Sequence, residues 1–451
     1  MIKMLVQDTL IKIQDYLESK NYLELNNLLV DLHAADIADL YDQLGTQSYI
    51  ILFRLLPKEQ AAEVFSHLSA SQRKAIVSAI DEGLLGYILD ELYFDDKIDF
   101  LEEMPSNFVK DIIATAPAKE RGLINTFLSY PAGCAGSLMT IEYVALPCNI
   151  TVAQAMARIK KVGIDRETIY TCYVLDKTRH LEGLISLRKL VLSENEQTIE
   201  SIMEYDVICA RAHDDQEKVA ELFKKYDLIA LPVVDEEKCL VGIITVDDIV
   251  DVIEQENTED FEKMAAMSPS NDAYLDTGVF KLAGKRIVWL LVLMITATLT
   301  GSIITHFESL LSAAVVLTAF IPMLMNSGGN AGSQSSTLII RGMALGEIQP
   351  QDWLKILWKE LRVGIIAGFI LSVVNFIRLM LLSNTGIAVN LTVSLALFLT
   401  VIGAKLVGGI LPVAAKAARL DPAIMAGPFI TTIVDTFSLV IYFNIAGILV
   451  R

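Results

Sequence analysis

Hydrophobic and polar positions divide this chain in two. From Ile287 onward long apolar runs dominate, whereas earlier residues alternate short apolar and charged groups at helical and strand periods. About five of the C-terminal runs, near 284 to 306, 310 to 340, 360 to 382, 387 to 414 and 422 to 450, are long enough to cross about 30 Å of hydrocarbon as helices. The first 130 or so residues read as all-helical, with the related phrases ADIADLYDQL, EQAAEVFSHL and DDKIDFLEEM at uneven spacing. That pattern predicts an arched, superhelical stack of short helices.

Between these regions lies an internal repeat. YVLDKTRHLEGLISLRKLVLS from Tyr173 aligns without a gap, at an offset of 59, with PVVDEEKCLVGIITVDDIVDV from Pro232. Each copy reads as strand, charged turn, strand with L-x-G-[LI]-I-[ST], then an amphipathic helix, and a further helix precedes each near 151 to 163 and 214 to 226. Such an arrangement resembles tandem CBS domains, which pair into one α/β module that often binds nucleotides.

Charge sharpens the division. Residues 281 to 451 hold 12 basic and 6 acidic residues, a net +6, while the first 280 hold 25 and 49, a net −24. So negative a surface repels nucleic acid and concentrates cations. The five cysteines, Cys134, Cys148, Cys172, Cys209 and Cys239, include no CxxC pair and read as reduced thiols of a cytosolic region. The N-terminal stretch is broken by Asp8, Asp15 and Glu18, so it lacks the apolar core of a signal peptide. Basic residues cluster at Lys281, Lys285, Arg286, Arg341, Lys355, Lys359, Arg362, Lys416 and Arg419, which predicts a cytosolic N-terminus and an external C-terminus.

Two features of the apolar region carry chemistry. The second run gives way to NSGGNAGSQSST, whose glycines suit a tight helix-packing seam and whose Asn326, Asn330 and Gln334, four apart, suit a pore lining. The last run contains Asp435, read as the only carboxylate well inside an apolar run, and a carboxylate there marks an ion path by default. A salt bridge to Lys405 or a proton relay are the alternatives. Pro428, which cannot donate to the helix ladder, is expected to loosen a turn and free carbonyls near Ala426 or Gly427. Carbonyls with one carboxylate suit a hard cation such as magnesium, and no thiolate or imidazole lies nearby.

Residues 247 to 262 contain eight acids and no base, so carboxylates crowd helical faces where like charges repel; a divalent cation would relieve that, although a solvated acidic helix is the plainer reading. Asp95 and Asp99, four apart, suit either a divalent site completed by a carboxylate such as Glu63 or a helix N-cap and solvated face. The enzyme signatures GxxxxGK[ST], HExxH and GxSxG are absent.

Taken together, NSGGNAGSQSST followed by IIRG at 326 to 342, LVGGILP at 406 to 412 and LDPAIMAGPFITTIVD at 420 to 435 make the chain resemble the MgtE family of magnesium channels and transporters over essentially its whole length. The resemblance implies a multi-domain membrane protein: an all-α superhelical N domain at 1–132, an α/β tandem CBS pair at 133–200 and 201–256, an acidic connecting (plug) helix at 257–283 and a five-helix transmembrane domain at 284–451. It implies a homodimer in the lipid of the cell membrane, with a pore carboxylate at Asp435 and a wall including Asn330, Gly427 and Pro428. It also places cytosolic magnesium sites at Glu63, Asp95 and Asp99, at Asp227, Asp248 and Asp251, and at Glu256, Glu259 and Asp260. The implied function is magnesium influx shut off by cytosolic magnesium, with ATP at the CBS pair as an open question. The alternatives are a transporter of cobalt, nickel or manganese, or a membrane-anchored CBS nucleotide sensor.

Overall fold

A computed structural model describes residues 2–450 except 271–273, 275–276 and 384, with side chains from residue 9. Its two units, Met1–Ile253 and Glu254–Arg451, each have their own core.

The first unit begins with ten short helices between Ile2 and Phe127, among them Ala34–Leu44, Lys58–Ser66 and Phe94–Glu103, which hold the three related phrases. Prolines 57, 105 and 117 stand immediately before helices and start them where a missing N–H costs nothing. The core of this stack is threaded by aromatic contacts running Tyr41–Tyr49–Phe53–Phe65–Phe100–Phe108. Such rings bury large apolar areas and so hold short helices that would be marginal alone.

The repeat folds twice into the same sheet. Strands β1 (Val144–Pro147), β2 (Thr171–Leu175) and β3 (Leu181–Ser186) form one, and β4 (Ala210–Arg211), β5 (Ala230–Val234) and β6 (Leu240–Thr245) the other. In each the first pair is parallel and the second antiparallel, with register slips at Val174/Leu175 and Val233/Val234, 59 residues apart. The segment leading into each copy crosses to the other: Thr140 bridges Ile243, and Glu204 bridges Leu184. A boundary at 200/201 therefore cuts the helix Ile199–Ile202, whose Ile199 packs in the first copy's core.

The acidic helix runs Val246–Met264, continuous with β6. The connecting helix expected over 257–283 thus starts earlier and stops at Met264; residues 271–273 and 275–276 of that range lie outside the described residues.

Among the described residues of the second unit four helical segments are long and apolar enough to cross a membrane: Val279–His306, Pro350–Leu382, Ile387–Ala417 and Pro422–Leu449. We call these the first, third, fourth and fifth spans. The second span is Ile321–Ala344, whose small and amide residues lower its hydropathy. The single helix expected from 310 is instead broken into Glu308–Ala313, a tight turn at Val315–Phe320 and then the second span. Pro322 falls in that span's first turn, which fixes its start. The fourth span is the hub, packed against the second, third and fifth.

Candidate functional site

The second span has two faces, and NSGGNAGSQSST divides between them. Gly328, Gly329, Gly332, Ser335 and Ser336 are buried, while Asn326, Asn330 and Gln334 form an exposed row on the opposite side, with Asn330 Nδ2 donating to Asn326 Oδ1 at 3.3 Å. The glycines are needed for closeness. A Cβ at Gly328 would lie 2.9 Å from Val434 and Ser438 of the fifth span, and one at Gly408 only 2.2 Å from the Gly332 carbonyl oxygen. Such backbone approach is how helices associate in lipid.

Asp435 lies two turns into the helix Gly427–Leu449 and is half-buried. Among the described residues no ion pair or hydrogen bond is recorded for its carboxylate. Lys405 does not pair with it: its Nζ donates to Ser335 Oγ at 3.3 Å, and Ser335 Oγ donates to Glu360 Oε2 at 2.6 Å. Glu360 is thus a further carboxylate of the apolar region, more deeply buried than Asp435 and missed because it stands at the start of its run between Lys359 and Arg362.

Pro428 stands at the start of the fifth-span helix instead of interrupting it, so it frees no carbonyl by kinking. Its own carbonyl accepts from the Thr431 and Thr432 hydroxyls, at 2.8 and 3.0 Å. Gly427 has φ +32, and a Cβ there would meet the Met264 carbonyl oxygen at 2.7 Å. The end of the acidic helix therefore rests on the beginning of the fifth span. Lys263 reinforces this contact, donating to Asp421 Oδ2 at 2.6 Å and pairing with Glu259. Although desolvation opposes it, hydrogen bonds to Asp421 and Glu259 hold the Lys263 pKa above its ordinary value. Asp260 is raised, by burial first and then by Asp421, Glu256 and Glu259, with Lys263 opposing.

The first unit gathers carboxylates from three places in the sequence. Asp95 is held well above the usual carboxylate range by burial, then by Asp248, Asp96 and Glu167. Burial, with Asp247 and Asp96 adding, pushes Asp248 up to about 6, and burial with Asp247, Asp248, Asp96 and Glu142 pushes Glu167 up to about 8. Asp99 rises to about 7, chiefly by desolvation, with Asp96, Glu102 and Asp248 adding and Arg73 opposing. Asp95 does not cap its helix: it lies in the first turn, and its Oδ1 accepts from the Asp96 N–H at 2.9 Å. Glu63 lines an adjoining crevice of about 480 Å³ with Glu59, Asp90, Glu91, Asp96 and Glu142.

Asp96, Glu142 and Glu167 were not singled out from the sequence, and Asp247 only as the first of the acidic run, since nothing local marks residues 96, 142, 167 and 247 as neighbours. Asp227 occupies the left-handed C-cap of Gln216–Tyr226 at φ 51, with its N–H on the Phe223 carbonyl, and Asp251 is exposed on the acidic helix. Among the described residues no three His, Cys, Asp or Glu side chains converge tightly enough to hold a metal ion directly. Magnesium, which keeps most of its water shell, needs only one or two carboxylates, and the crevice supplies them in excess.

Comparison with known proteins agrees with this layout. The family model described as a divalent cation transporter matches residues 321–445, that of the MgtE intracellular N domain 32–133, and that of the CBS domain 199–255. The magnesium transporter MgtE of Thermus thermophilus is 36% identical over 448 residues, 98% of each chain. Its counterpart from Bacillus subtilis is 33% identical over 93% of this chain and 95% of its own. The solved cytosolic domain of the Mg2+ channel MgtE in complex with ATP is 35% identical at TM-score 0.52, covering 54% of this chain and 99% of its own. A second structure, the soluble part of a magnesium transporter, is 31% identical at TM-score 0.52 and covers 56% and 99%. With near full-length identity to transporters that share its N domain, CBS region and membrane region, the chain belongs to the MgtE family of magnesium transporters.

Proposed function

We propose that the chain carries Mg2+ into the cell through a path lined by the second and fifth spans, and that cytosolic Mg2+ closes it. The observation that carries the reading is Asp435, a half-buried intramembrane carboxylate whose one candidate counter-ion, Lys405, is engaged elsewhere. An ionised carboxylate in that setting is costly unless a cation or water meets it. The exposed row of Asn326, Asn330 and Gln334 is equally unsuited to lipid, and a second copy of the chain facing it across a wet path satisfies those amides. The homodimer, a cytosolic N-terminus and an external C-terminus follow as parts of the same reading.

Closure draws on the carboxylates. With Asp95, Asp99 and Asp248 held together against their mutual repulsion, hydrated Mg2+ is the natural neutraliser, and Glu63 stands in the adjoining crevice. Asp227, Asp251, Glu256, Glu259 and Asp260 are further carboxylates of the same reading. The end of that helix already touches Gly427, where the fifth span starts. ATP at the CBS pair is supported by the relative solved with it.

The test is Mg2+ influx into liposomes holding the full chain, at low and then high internal Mg2+, beside Asp435→Ala. Influx that needs Asp435 and stops at high internal Mg2+ is expected. Undiminished influx in Asp435→Ala overturns the assignment of the pore carboxylate, and influx that ignores internal Mg2+ overturns the closure.

A further inference from the structure

Glu360, Ser335 and Lys405 come from the third, second and fourth spans and meet in the interior of the second unit, only 8%, 1% and 7% exposed. Among its described residues Glu360 and Lys405 are the buried charged side chains. The direction of their hydrogen bonds follows from chemistry. An ammonium has no acceptor, so Ser335 Oγ accepts from Lys405 Nζ at 3.3 Å and gives its proton to Glu360 Oε2 at 2.6 Å. The packing closes round this relay: a Cβ at Gly409 would sit 3.0 Å from Glu360 Cγ, one turn beyond Lys405.

We infer that Glu360 and Ser335 are positioning residues that hold the Lys405 charge away from the cation path and so keep that path electrostatically negative. The inference rests on the reading of Asp435 as the pore carboxylate. Lys405 follows Ala404, whose carbonyl oxygen lies 3.3 Å from where a Cβ at Gly332 would be, beside Val434, the neighbour of Asp435. A lysine on a span packed against both the second and the fifth, if released from Glu360, becomes a competing cation for the carboxylate that Mg2+ must reach. Paired through Ser335, it instead joins three spans at no net charge.

A purely structural role and a charge-holding role differ in sign. Glu360→Gln and Lys405→Met each strand one buried charge and harm packing alike, but they leave opposite charges behind. The measurement is the half-saturating Mg2+ concentration and maximal rate of influx in liposomes of the full chain at low internal Mg2+, on protein that elutes as wild type does. Glu360→Gln is expected to raise the half-saturating concentration about tenfold or more, whereas Lys405→Met leaves it unchanged or lowers it. Ser335→Ala, which keeps both charges and removes the bridge, raises it by a smaller factor and serves where Glu360→Gln does not fold. A rise in both Glu360→Gln and Lys405→Met, or no rise in Glu360→Gln and Ser335→Ala, overturns the inference. Asp435→Ala is measured in parallel: wild-type influx there sinks the pore assignment, whereas loss of influx there with no sign difference at Glu360 and Lys405 sinks only the charge-holding role.

Discussion

A β-carbon at Gly183 would sit 2.8 Å from the Glu204 carbonyl oxygen, and one at Gly242 2.8 Å from that of Thr140. The glycine of L-x-G-[LI]-I-[ST] is therefore where the segment leading into one copy crosses the strand of the other. The sequence shows the glycine twice but not its reason, because the crossing backbone lies about 20 residues away in one copy and about 100 in the other. Gly242→Ala forces that backbone apart and is expected to destabilise the first unit by about 1–3 kcal/mol, the usual cost of overpacking. A thermal melt at unchanged midpoint would contradict the crossing. Similarly, Asp435 was legible as a lone carboxylate in an apolar run, while the partners of Lys405 were not, since Ser335 and Glu360 lie on other helices.

Among the elements, the acidic helix shows how one residue beyond a motif alters it. The run of eight acids ends at Glu262, and Lys263 ties Glu259 and Asp421 together beneath the start of the fifth span. Lys263→Met removes a partly exposed ion pair of about 1 kcal/mol, which corresponds to about a fivefold shift in an equilibrium. The internal Mg2+ needed for half-closure of the full chain is expected to rise by about that factor, read from influx against internal Mg2+. An unchanged closure curve would mean that the tie takes no part in gating. The second span teaches the complementary point: its composition was compatible with a seam or a pore lining, and helical geometry places each set of residues on its own face.

For the first unit as a whole, the raised carboxylates set a pH dependence whose sign is fixed. Asp248, Asp99 and Glu167 hold protons in the folded state up to about 6, 7 and 8, whereas in an unfolded chain they release them near 4. The folded state binds more protons between those limits, so stability is greatest at the acidic end and is lost as pH rises through them. In chelator, the melting temperature of the first unit should fall between pH 5.5 and pH 8, roughly 2–4 °C for each kcal/mol lost. Millimolar Mg2+ should raise it more at pH 8 than at pH 5.5, because the cation replaces the proton. A melting temperature that rises with pH in chelator would refute this account of the carboxylate cluster.

Sequence alone determined the features with a local physical signature. Apolar runs long enough for a bilayer, a repeat at a fixed offset, a lopsided charge and an isolated Asp435 all announce themselves within tens of residues, while the resemblance to the MgtE family rested on the motifs at 326 to 342, 406 to 412 and 420 to 435. Tertiary structure decided what depends on which distant backbone arrives at a given place. It broke the apolar run from 310 into three pieces, moved Pro428 to a helix start and extended the acidic helix back to Val246. It also gathered Asp96, Glu142, Glu167 and Asp247 around Asp95 and Asp248, and gave Lys405 to Glu360 through Ser335. Periodicity reports which face of an element is apolar, but the partner of a buried charge is fixed only when three helices close on one point.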